Sequence, residues 1–157
     1  VCSRRRGRPR RAGGGIANAR TFLAALALGA SGVVMGTRFV ATQECIIHPN
    51  FKEWIVSAKE TDTMMIERSI RNAARVMHNK AAEKVAEMEA RGATLEELMT
   101  VISGQVGREA MLSGDLNGST FAVGQVAGLI HDIKSVKEVV QHIINEAEEL
   151  RKQLAAM

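Results

Sequence analysis

The segment Gly29-Ala-Ser-Gly-Val-Val-Met-Gly-Thr-Arg-Phe39, with Gly14-Gly15-Ile16 upstream, limits the fold more than any other part of the chain. The run from Ala24 to Leu28 favours a helix, and Gly29 supplies its left-handed stop. Val33, Val34 and Met35 form a short apolar run suited to a buried strand. Gly36-Thr37 then turns the chain and frees two backbone N–H groups and a hydroxyl at the strand's C-terminal end. In parallel α/β folds that end is where ligands bind. One glycine turn precedes the helix and another follows the next strand. Two such turns on neighbouring strands can grip one phosphate from two sides, because N–H groups donate to the anion and glycine lets the backbone approach it.

The remaining pattern is mostly helical. Asn18 caps a helix running to about Leu28, and a strand follows over 31–35. Pro49 fits the first turn of a helix containing Trp54, Ile55 and Ala58. Residues 61–66 read as extended chain or loop, and 80–89 as a helix stopped by Gly92. Thr94 and Glu97 make a capping box that opens a helix to about Leu112, with Gly104 and Gly107 weakening its interior. Residues 113–118 are a turn-rich link. Ser135 and Glu138 make a further capping box. Behind it Val136, Val139, Val140, Ile143, Ala147, Leu150 and Leu154 recur at helical spacing, a stripe that needs a surface to cover. No repeat of 20 to 50 residues is present.

Several ordered blocks carry a family resemblance. They are Gly14-Gly15-Ile16, the run from Ala25 through Gly36-Thr37-Arg38-Phe39, Glu60-Thr61-Asp62-Thr63, Arg75-Val76-Met77-His78-Asn79-Lys80 and Gly124-Gln125-Val126-Ala127-Gly128-Leu129-Ile130. Together, over roughly residues 13–150, they resemble the last βαβ unit and the C-terminal region of the nitronate monooxygenase (2-nitropropane dioxygenase) family. That family also takes in flavin-dependent enoyl-acyl-carrier-protein reductases of type II and NADH:quinone reductases. The resemblance implies an α/β fold: a C-terminal fragment of a TIM (β/α)8 barrel plus appended helices, rich in helix. A whole barrel needs about 250 residues, and this chain has 157. The implied organisation is a disordered Arg-rich tail over 1–12, the last βαβ portion of an FMN-binding barrel over 13–45, and a helical C-terminal region over 46–157.

The resemblance also implies FMN as cofactor, with NAD(P)H as electron donor in part of the family. Carried onto this chain, the FMN phosphate site would be lined by Gly14, Gly15, Val34, Met35, Gly36 and Thr37. Arg38 is open to two readings, pairing with the phosphate or forming a salt bridge at the barrel rim. Gly124-Gln125 either approaches the flavin side or starts a helix. The family's catalytic histidine belongs to a barrel strand outside this chain, so no catalytic residue is assigned.

Charge and cysteine content narrow the partners. The net charge of +4 comes from Arg4, Arg5, Arg6, Arg8, Arg10 and Arg11, without which 15 basic face 17 acidic residues. The body is mildly acidic, so a nucleic-acid surface over the whole protein is not supported. Arg6-Gly7-Arg8-Pro9 resembles an AT-hook core, with a solvated cationic tail as the plainer reading. Cys2 and Cys45 make neither a disulfide framework nor a metal spacing, and read as free thiols in a reducing, cytoplasmic setting. Thr21 to Thr37 carries no charge, but Gly29, Gly32 and Gly36 fit helix–turn–strand better than a membrane span. His142 and Glu146 stand one helical turn apart, a spacing that metals use and solvated faces also show, and no metal site is expected.

The expected partners are a small-molecule substrate and either a second copy of the chain or the missing barrel half. Three functions stand open: oxidation of alkyl nitronates with oxygen, NAD(P)H-dependent reduction of enoyl thioesters or quinones, and a non-enzymatic piece with a DNA-binding arm.

Overall fold

A computed structural model describes residues 9–156. Strand β1 (Arg11–Gly13), helix α1 (Ala19–Ala27) and strand β2 (Gly32–Val34) form a β–α–β unit. The strands run parallel, in the register Arg11↔Gly32, Ala12↔Val33 and Gly13↔Val34. Asn18 caps α1: its side chain accepts the Thr21 N–H at 3.0 Å, and Thr21 Oγ1 accepts the Asn18 N–H at 3.2 Å. Gly29, at φ 91°, turns the chain after the helix, and the Ser31 N–H donates to the Arg10 carbonyl at 2.7 Å.

The basic segment therefore corrects the sequence reading in part. Arg11 and Ala12 belong to β1 and not to a disordered tail. A ladder is built from backbone groups, which arginine supplies as well as valine does. The Arg11 side chain stays exposed, so the strand forms without being buried. Residues 1–8, with most of the AT-hook-like sequence, lie outside the described residues.

Gly36 leads into a short helix α2 (Thr37–Val40), and α3 (Pro49–Ser57) comes next with proline in its first turn. Strands β3 (Thr63–Ile66) and β4 (Ala74–Met77) pair antiparallel. The region beyond residue 46 is thus not wholly helical. The extended reading of 61–66 finds a partner in β4, where Arg75 Nη1 donates to Thr63 Oγ1 at 3.0 Å.

Helix α4 (Lys80–Ala90) is capped by Asn79, whose side chain accepts the Ala82 N–H at 2.8 Å. The single helix expected from Thr94 to about Leu112 is two helices, α5 (Leu95–Ile102) and α6 (Gly104–Ser113). Ser103 causes the break. Its backbone is extended, and its Oγ accepts the Val106 N–H to cap α6, so the hydroxyl competes with helix continuation.

The 3-10 helix Gln125–Leu129 precedes α7 (Val136–Ala155), which Ser135 and Glu138 cap reciprocally. α7 packs on α1. It buries Val139, Ile143 and Ala147 while Val140 and Leu154 remain exposed, so the apolar stripe is only partly covered. The main core gathers Phe51, Ile55, Met77, Phe121, Val123, Ala127 and Ile130, with Phe51 and Phe121 edge-on at 4.7 Å. A second core sits under the hairpin, built from Ile66, Val76, Val85, Leu98 and Val101. Among the described residues, no helix is long and apolar enough to cross a membrane.

Candidate functional site

The parallel register places the two glycine turns side by side. Gly13 faces Val34, so Gly14-Gly15 and Met35-Gly36-Thr37 leave the sheet from the same end, one strand spacing (about 4.8 Å) apart. Gly14 and Gly15 hold φ of 84° and 74°, a region that L side chains rarely adopt. Gly36, at φ −99°, has no such conformational need. A Cβ at any of these three glycines would meet no protein atom within 4 Å. The space beside these glycines is therefore open.

The donors there are unspent. Among the described residues, the N–H groups of Gly14, Gly15, Gly36 and Thr37 take no hydrogen-bond partner. Thr37 Oγ1 accepts the Gly124 N–H at 3.2 Å, which leaves its own hydroxyl proton available. Val34, at the end of β2, is 55% exposed, and Met35 is half-buried. Unspent N–H groups on adjacent turns are the type of donor that an anion requires.

Arg38 comes directly after the turn without joining these donors. It is 6% exposed. Its Nη1 donates to Asp132 Oδ1 at 3.0 Å, and its Nη2 donates to the carbonyls of Ala41 at 2.7 Å and Asp132 at 2.9 Å. Of the two sequence readings, the structure shows the salt bridge. Its buried Nε has no partner among the described residues. Lys134 Nζ reaches the other oxygen of Asp132 at 2.8 Å. Burial works against the charged Asp132 carboxyl, but the Lys134 hydrogen bond and the Arg38 and Lys134 charges outweigh it and hold its pKa below the usual aspartate value.

Asp132 and Lys134 were missed in the sequence. Asp132 lies 94 residues from Arg38 in a segment with no periodic pattern, so nothing local marks it. Of the two readings of Gly124-Gln125, the structure shows the helix start, here a 3-10 helix, and the Gly124 N–H also donates to Thr37 Oγ1.

A cleft of about 610 Å³ runs along β1 and α1, lined by Arg11, Gly13, Gly14, Gly15, Thr21 and Leu28. It shares Gly14 and Gly15 with the turns, but Val34, Met35, Gly36 and Thr37 do not line it. Leu28, 80% exposed, stands at this cleft. The histidines serve elsewhere. His48 Nδ1 accepts the Asn50 N–H at the start of α3. His78 Nε2 lies 2.9 Å from Glu83 at the surface, and His142 Nε2 lies 3.7 Å from Glu146 on the exposed face of α7. No cluster of three metal-binding side chains occurs among the described residues.

Comparison with known proteins gives this geometry a context. FabK from Thermotoga maritima superposes with a TM-score of 0.87 at 41% identity, over 94% of this chain and 47% of that one. Nitroalkane oxidase from Streptomyces ansochromogenes superposes with a TM-score of 0.74 at 23% identity, over 93% of this chain and 41% of that one, a likeness of fold. Both are TIM-barrel enzymes, and the α/β, helix-rich fold here is part of such a barrel with helices appended. A probable nitronate monooxygenase from Staphylococcus aureus (strain JH9) is 36% identical over 78 residues, which is 50% of this chain. The chain spans only 22% of that curated relative's length. The sequence model of nitronate monooxygenase matches residues 9–146, from β1 into α7, and the chain belongs to the nitronate monooxygenase family.

Proposed function

We propose that this chain supplies the phosphate-gripping end of an FMN-dependent oxidoreductase of the nitronate monooxygenase type, which oxidises alkyl nitronates with oxygen. The observation that carries the reading is the pair of turns after β1 and β2, side by side, open, and with their N–H groups unspent. In this reading the N–H groups of Gly14, Gly15, Gly36 and Thr37 donate to the FMN phosphate, and the Thr37 hydroxyl adds a donor. Val34 and Met35 line the phosphate site beside them. FMN, when bound, supplies the electron-transfer chemistry of its isoalloxazine ring. The residues of this chain bind and orient it, and proton removal from the substrate is assigned to none of them.

A second reading keeps the same site and changes the substrate: NAD(P)H-dependent reduction of enoyl thioesters or quinones. The likeness to FabK favours it, being closer in fold and in identity than the likeness to nitroalkane oxidase. Reduction by NADH and response to an enoyl thioester or a quinone would separate it from nitronate turnover.

The reading also gives the open edges an occupant. β1 and β2 pair only with each other among the described residues, and unpaired strand edges seek partners. The remaining strands and helices of a barrel, or a second copy of the chain, would cover the β1 edge and Leu28. Cys45, a free thiol, suits a reducing, cytoplasmic setting.

Titration with FMN, followed by flavin fluorescence, tests the proposal. Saturable binding at one flavin per chain is the expected result. A folded chain that shows no saturable binding contradicts it.

A further inference from the structure

We propose that residues 124–134 form a strap that positions the Gly36–Thr37 turn, with Arg38 and Asp132 as the positioning residues at its far end. This inference rests on reading that turn as a phosphate site. α2, which continues the turn, is a single helical turn of four residues and is too short to hold its own shape. Its shape must come from what it is tied to.

The ties lie at both ends of one segment. At the near end the Gly124 N–H donates to Thr37 Oγ1 at 3.2 Å. At the far end Arg38 holds Asp132 through Oδ1 and through the backbone carbonyl, and it also holds Ala41, the residue after α2. The Gln43 N–H donates to the Lys134 carbonyl at 3.1 Å, beside a parallel bridge between Thr42 and Lys134. Between the two ends, Val126, Ala127 and Ile130 sink into the main core. The strap thus crosses α2 with both ends fastened and its middle anchored.

Arg38 is committed to this tie. Both of its Nη groups are engaged, and the guanidinium keeps its place although Nε stays buried without a partner among the described residues. It acts on the turn through the strap and not as a ligand of the anion. Asp132 also carries Lys134, so neutralising it leaves two cations short of their counter-charge. Donors fixed in place before the ligand arrives lose less on binding it, so loosening the strap weakens the hold on phosphate alone.

The test compares FMN with riboflavin, which has the same ring system and no phosphate, on the wild-type chain and on Asp132→Asn and Asp132→Ala. The Asp132 side chain is 42% exposed, and Asn keeps its shape, so one or both variants fold, as circular dichroism would check. FMN affinity should fall about 10-fold in the variants while riboflavin affinity stays level. An unchanged preference for FMN, or an equal loss for both flavins, overturns the strap. A wild-type chain that binds FMN no better than riboflavin overturns the phosphate reading, and the strap with it, which is a distinct result from a preference that Asp132 variants retain.

Discussion

Gly13 and Val34 are Cα partners in the parallel pair, and this single register brings two glycine turns to one end of the sheet. Gly36 separates binding from folding in that arrangement. Its φ of −99° admits alanine, and a Cβ there would meet nothing within 4 Å. Gly36→Ala should keep its stability within about 0.5 kcal/mol of the wild type, while FMN affinity falls because the new methyl stands beside the proposed phosphate donors. Gly15→Ala should lose both, since φ of 74° costs an L residue about 1–2 kcal/mol. Thermal melts and FMN titrations of the two variants check this contrast.

The loop from β3 to β4 depends on a carboxylate at the end of α4. Glu67 and Arg71 sit at φ 61° and 58°, left-handed positions for side chains that resist them. Glu89 holds the loop by accepting the N–H groups of Glu67 and Ser69, each at 2.8 Å, and the Ser69 hydroxyl at 2.7 Å. Glu89→Gln should destabilise the chain by about 1–2 kcal/mol near neutral pH, because it removes the charge that strengthens these bonds. Urea midpoints of the two proteins measure it.

The same carboxylate sets a pH dependence. Burial works against the charged Glu89, but the hydrogen bonds from Ser69 and from the Glu67 and Arg68 backbone outweigh it and lower its pKa. A pKa lower in the folded chain than in the unfolded one means stabilisation that is complete above the unfolded value of about 4.3 and lost as pH falls through the folded value. Glu138, lowered by its Ser135 hydrogen bonds, and Asp132 share the same sign. The stability gap between the wild type and Glu89→Gln should therefore narrow in urea melts below about pH 4.

Two glycines, one inside α6 and one just after it, should respond in opposite directions. A Cβ at Gly107 would touch Ser119 Oγ at 3.7 Å and Met111 Cε at 3.8 Å, ordinary contacts in a buried helical position. Gly107→Ala should stabilise the chain by about 0.5–1 kcal/mol through helix propensity. Gly114 ends α6 at φ 84°, with the His48 ring 2.5 Å from where a Cβ would stand. Gly114→Ala should lower the melting temperature, and a pair of calorimetric scans decides both.

Local chemistry made much of the architecture readable. The caps at Asn18, Thr94 and Ser135 each start a helix, because capping needs only residues three apart. Val33 and Val34 lie in a strand, and Gly36 leads out of it into α2, which Thr37 opens. What escaped detection was decided by partners distant in sequence. β1 is a strand because β2 supplies its ladder, which no side-chain pattern in a run of arginines can announce. β4 depends likewise on β3. The break at Ser103 was local, yet Ser-Gly reads equally as a weak helix interior and as a cap followed by a new helix. In the candidate site the glycines and Thr37 were legible as a turn motif. The tie from Arg38 to Asp132 and that from Thr37 to Gly124 were not, since they join residues 94 and 87 positions apart.

The most direct test of the central claim is a ¹H–¹⁵N correlation spectrum of the chain titrated with FMN and, separately, with riboflavin. The N–H signals of Gly14, Gly15, Gly36 and Thr37 should move together with FMN and stay in place with riboflavin. FMN binding that leaves those four signals unmoved would contradict the claim that the two turns share one phosphate.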